Sequence, residues 1–181
     1  MMKKVWWVVL AAAAASGCFM KKSEFTAYSL ASAKFSVEYP AGWTVIENEA
    51  GFNPGVMFLA PPPQGKRAVR RSLTVDFYPK GNTQYSSIED YVSSHTRPGP
   101  DRSSEPLKPA AVAGIAGQEL VYRKPLPQSP EFAPKGTLVT KVRLFAANDG
   151  FFALADAVPE GSPADEGGAF AKLTASFKLA K

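Results

Sequence analysis

The sequence predicts an α+β fold built on an antiparallel sheet, and three observations carry that prediction. Apolar residues recur at a spacing of two along most of the chain beyond Lys34. Tight-turn residues join neighbouring runs of this kind, and short turns connect antiparallel strands, whereas parallel strands need long crossovers. Only two segments change to helical spacing, one between groups of strands and one at the end, an order that favours α+β over doubly wound α/β.

Taken in order, `KFSVEY` places Phe35, Val37 and Tyr39 on one face of a strand. `TVIEN` and `VMFLA` follow as a pair separated by the turn-rich `EAGFNPG`. `SLTVDF` repeats the alternation with Leu73, Val75 and Phe77. In `SSIEDYVSSHT`, Ser86 and Glu89 have capping-box spacing, Ile88, Tyr91, Val92 and His95 form one stripe, and `RPGP` stops the helix. `LKPAAVAG` and `QELVYRK` resume the strands. `LVTKVRLF` sets Leu138, Val142 and Leu144 opposite Lys141 and Arg143, and `FFALADAV` pairs back on it through a turn at Asn148 to Gly150. The last helix is expected from Ser162 as N-cap, with Pro163 first, Asp165 three after the cap, and Phe170, Leu173 and Phe177 as its buried stripe. Gly167 and Gly168 weaken it by roughly 1 kcal/mol each relative to Ala, so packing must hold it.

The length of 181 residues suits one domain with one core, and 45% apolar residues with 20% charged ones are globular proportions. Cys18 is the sole cysteine, which excludes an intramolecular disulfide and any multi-cysteine metal or iron-sulfur site. The formal charge is +5; without residues 1–17, which hold Lys3 and Lys4, 19 basic groups face 16 acidic ones. An excess of +3 is too small to argue for nucleic acid.

`MMKK` followed by the 11 apolar residues Val5 to Ala15 reads as an export signal, since a bilayer span needs roughly 20. Ala15, Ser16 and Gly17 lead into Cys18 and resemble the lipobox of bacterial lipoproteins, although Leu is commoner where Ala15 stands. The resemblance implies cleavage between Gly17 and Cys18 and diacylation of the Cys18 thiol. Two or three acyl chains, at about 0.8 kcal/mol per buried methylene, make a stable bilayer anchor. The competing reading is cleavage by ordinary signal peptidase, which leaves a free exported thiol. Phe19, not being Asp, implies under the enteric sorting scheme the outer membrane facing the periplasm. Residues 18–33 are then the lipidated N-terminus and a flexible tether in which Lys21 and Lys22 either touch anionic headgroups or are simply solvated. The expected organisation is a signal peptide over 1–17, this tether over 18–33, and one domain over 34–181.

`FSVEYPAGWTV`, Phe35 to Val45, is similar to the `F-x-x-x-Y-P-x-G-W` opening of the PsbP-like fold, shared by extrinsic photosystem proteins, Ran-binding relatives and DcrB-like bacterial lipoproteins. `FFALADA` followed by a helix closing in `LTASF` resembles the end of that domain, so the likeness covers about Phe35 to Lys178. It implies an α/β/α sandwich around an antiparallel sheet, and no shared enzyme activity: members mostly bind or help assemble other proteins. The motif residues have structural jobs of their own. Pro40 and Gly42 turn the chain and Trp43 buries a ring against the sheet.

The residues offer little for catalysis. His95 is the only histidine and lies on an apolar stripe, the place of a packed or capping imidazole; Glu89 and Asp90 are five and six residues before it, off the spacing that puts metal ligands on one helical face. No `G-x-S-x-G`, `S-x-x-K`, `G-x-G-x-x-G` or `G-x-x-x-x-G-K-[ST]` occurs. Glu119, Asp156, Asp165 and Glu166 read as strand-face, strand-end or helix N-terminal charges. No cofactor and no metal is expected. The one charge cluster is Lys66, Arg67, Arg70 and Arg71 after Pro61 to Pro63, either a grip for an acidic surface or phosphates, or a solvated loop entering a strand. The Pro-rich loops `RPGPDRSSEPLKP` and `RKPLPQSPEFAPKG` are further candidate recognition surfaces.

The expected function is that of a non-enzymatic, lipid-anchored envelope protein that binds another envelope protein or assists its assembly. The alternatives are a small-molecule-binding lipoprotein of an uptake system, which needs an apolar pocket with converging polar groups, and an envelope glycan or lipid hydrolase, which needs paired carboxylates in a cleft.

Overall fold

The computed structural model describes residues 24–48, 53–62, 69–126, 135–162 and 168–180. In chain order these hold β1 (Phe25–Leu30), β2 (Phe35–Pro40), β3 (Thr44–Asn48), β4 (Gly55–Leu59), β5 (Ser72–Pro79), α1 (Ile88–Thr96), β6 (Ser103–Ser104), β7 (Lys108–Val112), β8 (Ile115–Pro125), β9 (Thr137–Ala147), β10 (Gly150–Pro159), α2 (Ala169–Ser176) and β11 (Lys178–Leu179). The main sheet runs β3-β4-β5-β10-β9-β8-β6, with β7 also paired to β8, and a smaller sheet runs β1-β2-β11. Every strand pairing is antiparallel. The fold class is α+β, as expected, with the two helices on opposite faces of the main sheet and the small sheet as a further layer.

The side chains explain the layers, because alternate residues of β5, β9 and β10 serve opposite faces. On one face Leu73, Val75, Phe145, Phe152 and Leu154 meet Phe35 and Val37 of β2 and Phe170, Leu173 and Phe177 of the last helix. On the other face Tyr78, Val142, Leu144, Phe151 and Ala153 meet Tyr91 of α1, with Ile88 and Val92 beside it. The stripes expected on both helices are thus the faces that pack. Polar contacts fix α2 in place. Arg143 donates to Glu119 at 3.1 Å, to the Thr174 hydroxyl at 3.1 Å and to the Ala111 carbonyl at 3.2 Å. The Ser176 hydroxyl accepts from the Glu38 amide at 2.8 Å.

Three local expectations are corrected. Residues 25–30 lie in the segment expected to be tether, yet they form β1, pairing from Phe25↔Pro40 to Leu30↔Phe35. The folded unit therefore includes residues before 34: Leu30 is buried in the core, and Tyr28 meets Phe58 with ring centroids 5.4 Å apart. The cap of α1 is Ser87, not Ser86: the Ser87 hydroxyl accepts from the Asp90 amide at 3.2 Å, and the Asp90 carboxylate accepts from the Ser86 amide at 3.0 Å. Asp90 thus takes the part expected of Glu89, one residue later in register with the cap. The last helix begins at Ala169 with Gly168 as N-cap, because Gly168 takes a left-handed conformation (φ 63°) that breaks the chain direction there. Ser162 sits instead in a turn, donating its amide to Pro159. Residues 163–167, including Pro163, Asp165 and Glu166, lie outside the described residues.

The turn between β9 and β10 is the two-residue loop Asn148–Asp149, flanked by the pair Ala147↔Gly150. Glycine is required at 150 because a Cβ there would run into the Tyr78 carbonyl oxygen of β5.

Candidate functional site

The helix α1 packs on the part of the sheet made by β6, β8 and β9. There it builds an aromatic cluster. The His95 ring stacks on Tyr91 at 4.1 Å and lies 4.9 Å from Tyr122, while Tyr91 and Tyr85 meet Tyr78 at 5.7 and 5.4 Å. Nδ1 of His95 lies 2.8 Å from the Tyr91 carbonyl one turn back. Burial lowers the His95 pKa from its ordinary value, the hydrogen bond to Tyr91 opposes this, and Lys124 and Arg102 add to the lowering. This is the packed imidazole expected from the stripe. A His whose folded pKa is depressed contributes stability above its unfolded pKa and loses it as pH falls. An NMR titration of the ring should therefore place its midpoint below 6.5, the value of a free histidine; a midpoint at or above 6.5 contradicts the packing described.

The same sheet face continues past α1 onto β5, β4 and β3. Register places Ile46, Met57, Thr74 and Ala155 in one row, and Asn48, Gly55, Asp76 and Ala153 in the next. Here the apolar surface stays open, with Ile46 48% and Met57 38% exposed. Asp76 stands at the boundary between this strip and the tyrosine cluster. Burial pushes its carboxyl up to about 6; burial also raises Tyr78, Tyr91 and Tyr122, and the nearby carboxylate adds a smaller contribution. A Cβ on Gly55 would meet Asp76 Oδ1, so the carboxyl leans over the glycine, toward β4 and the open strip. Neither an ion pair nor a hydrogen bond neutralises it among the described residues. A desolvated carboxyl without a cation is a costly arrangement, and such groups gather at functional surfaces.

Lys66 and Arg67 lie outside the described residues, as do Gly17 and Cys18. Arg70 donates Nε to the Ala60 carbonyl, and its Nη2 lies 3.4 Å from the Leu59 carbonyl and 3.5 Å from Thr44 Oγ1. Arg71 forms a two-pronged pair with Asp156, both bonds at 2.8 Å, and lies 5.8 Å from the Trp43 ring. With side chains only 16% and 11% exposed, that pair holds β5 to β10. Arg70 and Arg71 thus have partners within the chain. Glu119 is paired with Arg143 at 3.1 Å, so both described carboxylates considered for catalysis are committed to arginines. Among the described residues no three His, Cys, Asp or Glu side chains are placed to hold a metal ion, and no helix is long and apolar enough to cross a membrane.

A cleft of about 490 Å³ opens elsewhere, where the end of the small sheet meets the β9–β10 turn; Lys34, Phe77, Asn148, Phe152 and Leu179 line it. It is the space on which a small-molecule-binding role would draw. Sequence reasoning did not single out Asp76 or Met57. The signal was present: `GVMFL` and `SLTVDF` have both strand faces populated, but which face lacks a cover depends on where α1 lands.

Neither a family model nor a curated protein matches the chain. Among solved structures, a crystal structure from Bacteroides thetaiotaomicron VPI-5482 is similar at 13% identity with a TM-score of 0.54. It covers 88% of this chain, which spans about half, 50%, of that one. The solution structure of cyanobacterial PsbP (CyanoP) from Synechocystis sp. PCC 6803 is similar at 14% identity with a TM-score of 0.49, covering 94% of this chain and 98% of that one. What the Bacteroides likeness establishes is the fold: an antiparallel sheet with helices packed on it, the architecture that the opening motif `FSVEYPAGWTV` led us to expect.

Proposed function

We propose that this is a non-enzymatic protein of the bacterial cell envelope, anchored by lipid on Cys18 and held at the outer membrane facing the periplasm, and that its domain binds another envelope protein. The observation that carries the binding role is the strip of sheet face where exposed Ile46 and Met57 adjoin Asp76, a carboxyl with no cation beside it among the described residues. Exposed apolar surface rimmed by polar groups marks interaction sites. The commitment of Arg71, Asp156, Glu119 and Arg143 to one another supports a role without catalysis. The anchor is supported by the sequence `ASGC`, Ala15 to Cys18, and Phe19 supports the outer-membrane destination.

Two measurements on the protein expressed in a bacterial host test this. Intact mass of membrane-extracted protein should show a chain that begins at an acylated Cys18, and Cys18→Ser should release it from the membrane fraction. An unmodified chain beginning at Cys18 removes the anchor. A photo-reactive residue in place of Met57 should give one discrete adduct with an envelope protein, whereas the same residue in place of exposed Lys108 should not; adducts equal at both positions remove the binding role.

A further inference from the structure

Resting on that reading, we infer that the strip formed by β3, β4 and β5 receives an amphipathic helix of the partner protein, with a lysine or arginine of that helix seated on Asp76 and its apolar side chains on Met57 and Ile46.

The dimensions argue for a helix. Neighbouring strands lie about 4.8 Å apart, so β3 to β5 spans about 10 Å between outer strand axes, matching a helix about 10–12 Å across. The α1 helix already covers β8 and β9 in the same way, and its partners there show what the sheet face accepts: Tyr91 buried, with Ile88 and Val92 half-buried. A second helix laid beside it would complete the layer.

Charge selects which helix. The carboxyl of Asp76 leans over Gly55 into the strip, has no cation among the described residues, and is bordered on its own sheet by the uncharged Met57, Thr74, Ala153 and Ala155. A cation arriving there gains a charge-assisted hydrogen bond in a desolvated place, where such bonds are strongest. The same group disfavours an acidic side chain at that point of the helix. That argues against a second copy of this chain supplying its α1, whose first turn carries Glu89 and Asp90.

The test uses the full chain carrying Cys18→Ser in every variant, so that no lipid is attached, and a synthetic 14-residue leucine-lysine helix, Ac-LKKLLKLLKKLLKL-amide. The comparison peptide has every lysine replaced by glutamate. Binding is followed at pH 7.5 by calorimetry and by backbone amide shifts. The lysine helix should bind, with the largest shifts at Ile46, Met57, Thr74 and Asp76, and the glutamate helix should not. Asp76→Asn should weaken binding on the order of tenfold, as expected for losing one charge-assisted bond, and Met57→Glu, which adds charge where apolar contact is needed, should also weaken it. Binding unchanged in Asp76→Asn, equal binding of the glutamate helix, or shifts centred on another face would overturn the inference, as would a dimer of this chain that the peptide fails to displace. Failure here leaves the broader reading standing if the photo-reactive group at position 57 still captures an envelope protein. Absence of that adduct while the peptide binds would instead fault the broader reading.

Discussion

Phe152→Ala should cost about 3–5 kcal/mol of stability, the range for truncating a buried phenylalanine. The ring is fully enclosed and touches four others: Phe77 at 4.8 Å, Phe177 at 5.2 Å, Phe145 at 5.4 Å and Phe35 at 5.9 Å between centroids. These come from β5, the end of α2, β9 and β2, so one side chain joins the main sheet, the small sheet and the last helix. Its removal leaves a cavity that no neighbour can fill without moving a strand. A domain of this size is typically stable by about 5–15 kcal/mol, so the variant should lose a large part of its margin. Urea unfolding should show a lower midpoint at nearly unchanged slope. Lys141→Ala, at an exposed position of β9, should stay within about 0.5 kcal/mol of the wild type. A loss under about 1 kcal/mol for Phe152→Ala would mean that the layers are held together without this ring.

How much of this was legible in the sequence depended on whether the determining contact was local. Phe35, Val37, Leu73, Val75 and Phe77 announced their strands because alternation is a property of neighbouring residues. The hairpin at Asn148–Asp149 was legible for the same reason, its turn residues standing between two alternating runs. β1 was not: in `FTAYSL` only Tyr28 and Leu30 alternate inward, and the strand exists because β2 offers it an edge and Phe58 a ring to pack on. The cap at Ser87 was not legible because two local signals competed. Ser86 and Ser87 both precede an acid by three, and geometry settled it in favour of the residue whose extended backbone leads into the helix.

The charged residues were the least legible. Arg70 and Arg71 are adjacent in a strand entrance and so point opposite ways, Arg70 to the Ala60 and Leu59 carbonyls and Arg71 to Asp156, partners that lie too far along the chain to be read locally. Asp156 and Glu119 stand on strands, as expected, but their arginine partners lie 85 and 24 positions away, too far to be read locally. Asp76 carries no local sequence signal. Its meaning comes from what lies across from it, a glycine on one side and an alanine on the other, and from its place beside the tyrosine cluster.

Asp76→Asn should stabilise the protein at pH 7 by up to about 3 kcal/mol. The carboxyl is raised from 3.8 to about 6 by burial, and one pH unit corresponds to about 1.36 kcal/mol. The sign follows from proton counting: between about pH 4 and 6 the folded state holds a proton that the unfolded state has released, so stability falls as pH rises through that window. The wild type should therefore be more stable near pH 5 than near pH 7 by this contribution, while His95 acts in the opposite sense, losing stability as pH falls. In Asp76→Asn the decline above pH 4 should disappear and the His95 slope remain. The gain will fall short of the full figure to the extent that the buried amide lacks partners of its own. Thermal unfolding from pH 4.5 to 8 reads both slopes, and a variant less stable than wild type at pH 7 would show that the carboxylate is neutralised in the fold. A residue that weakens the fold when charged and strengthens a complex when charged should separate the two properties: the same substitution raises the melting temperature and lowers affinity for a cationic helix. A purely structural aspartate would move both in the same direction, downward.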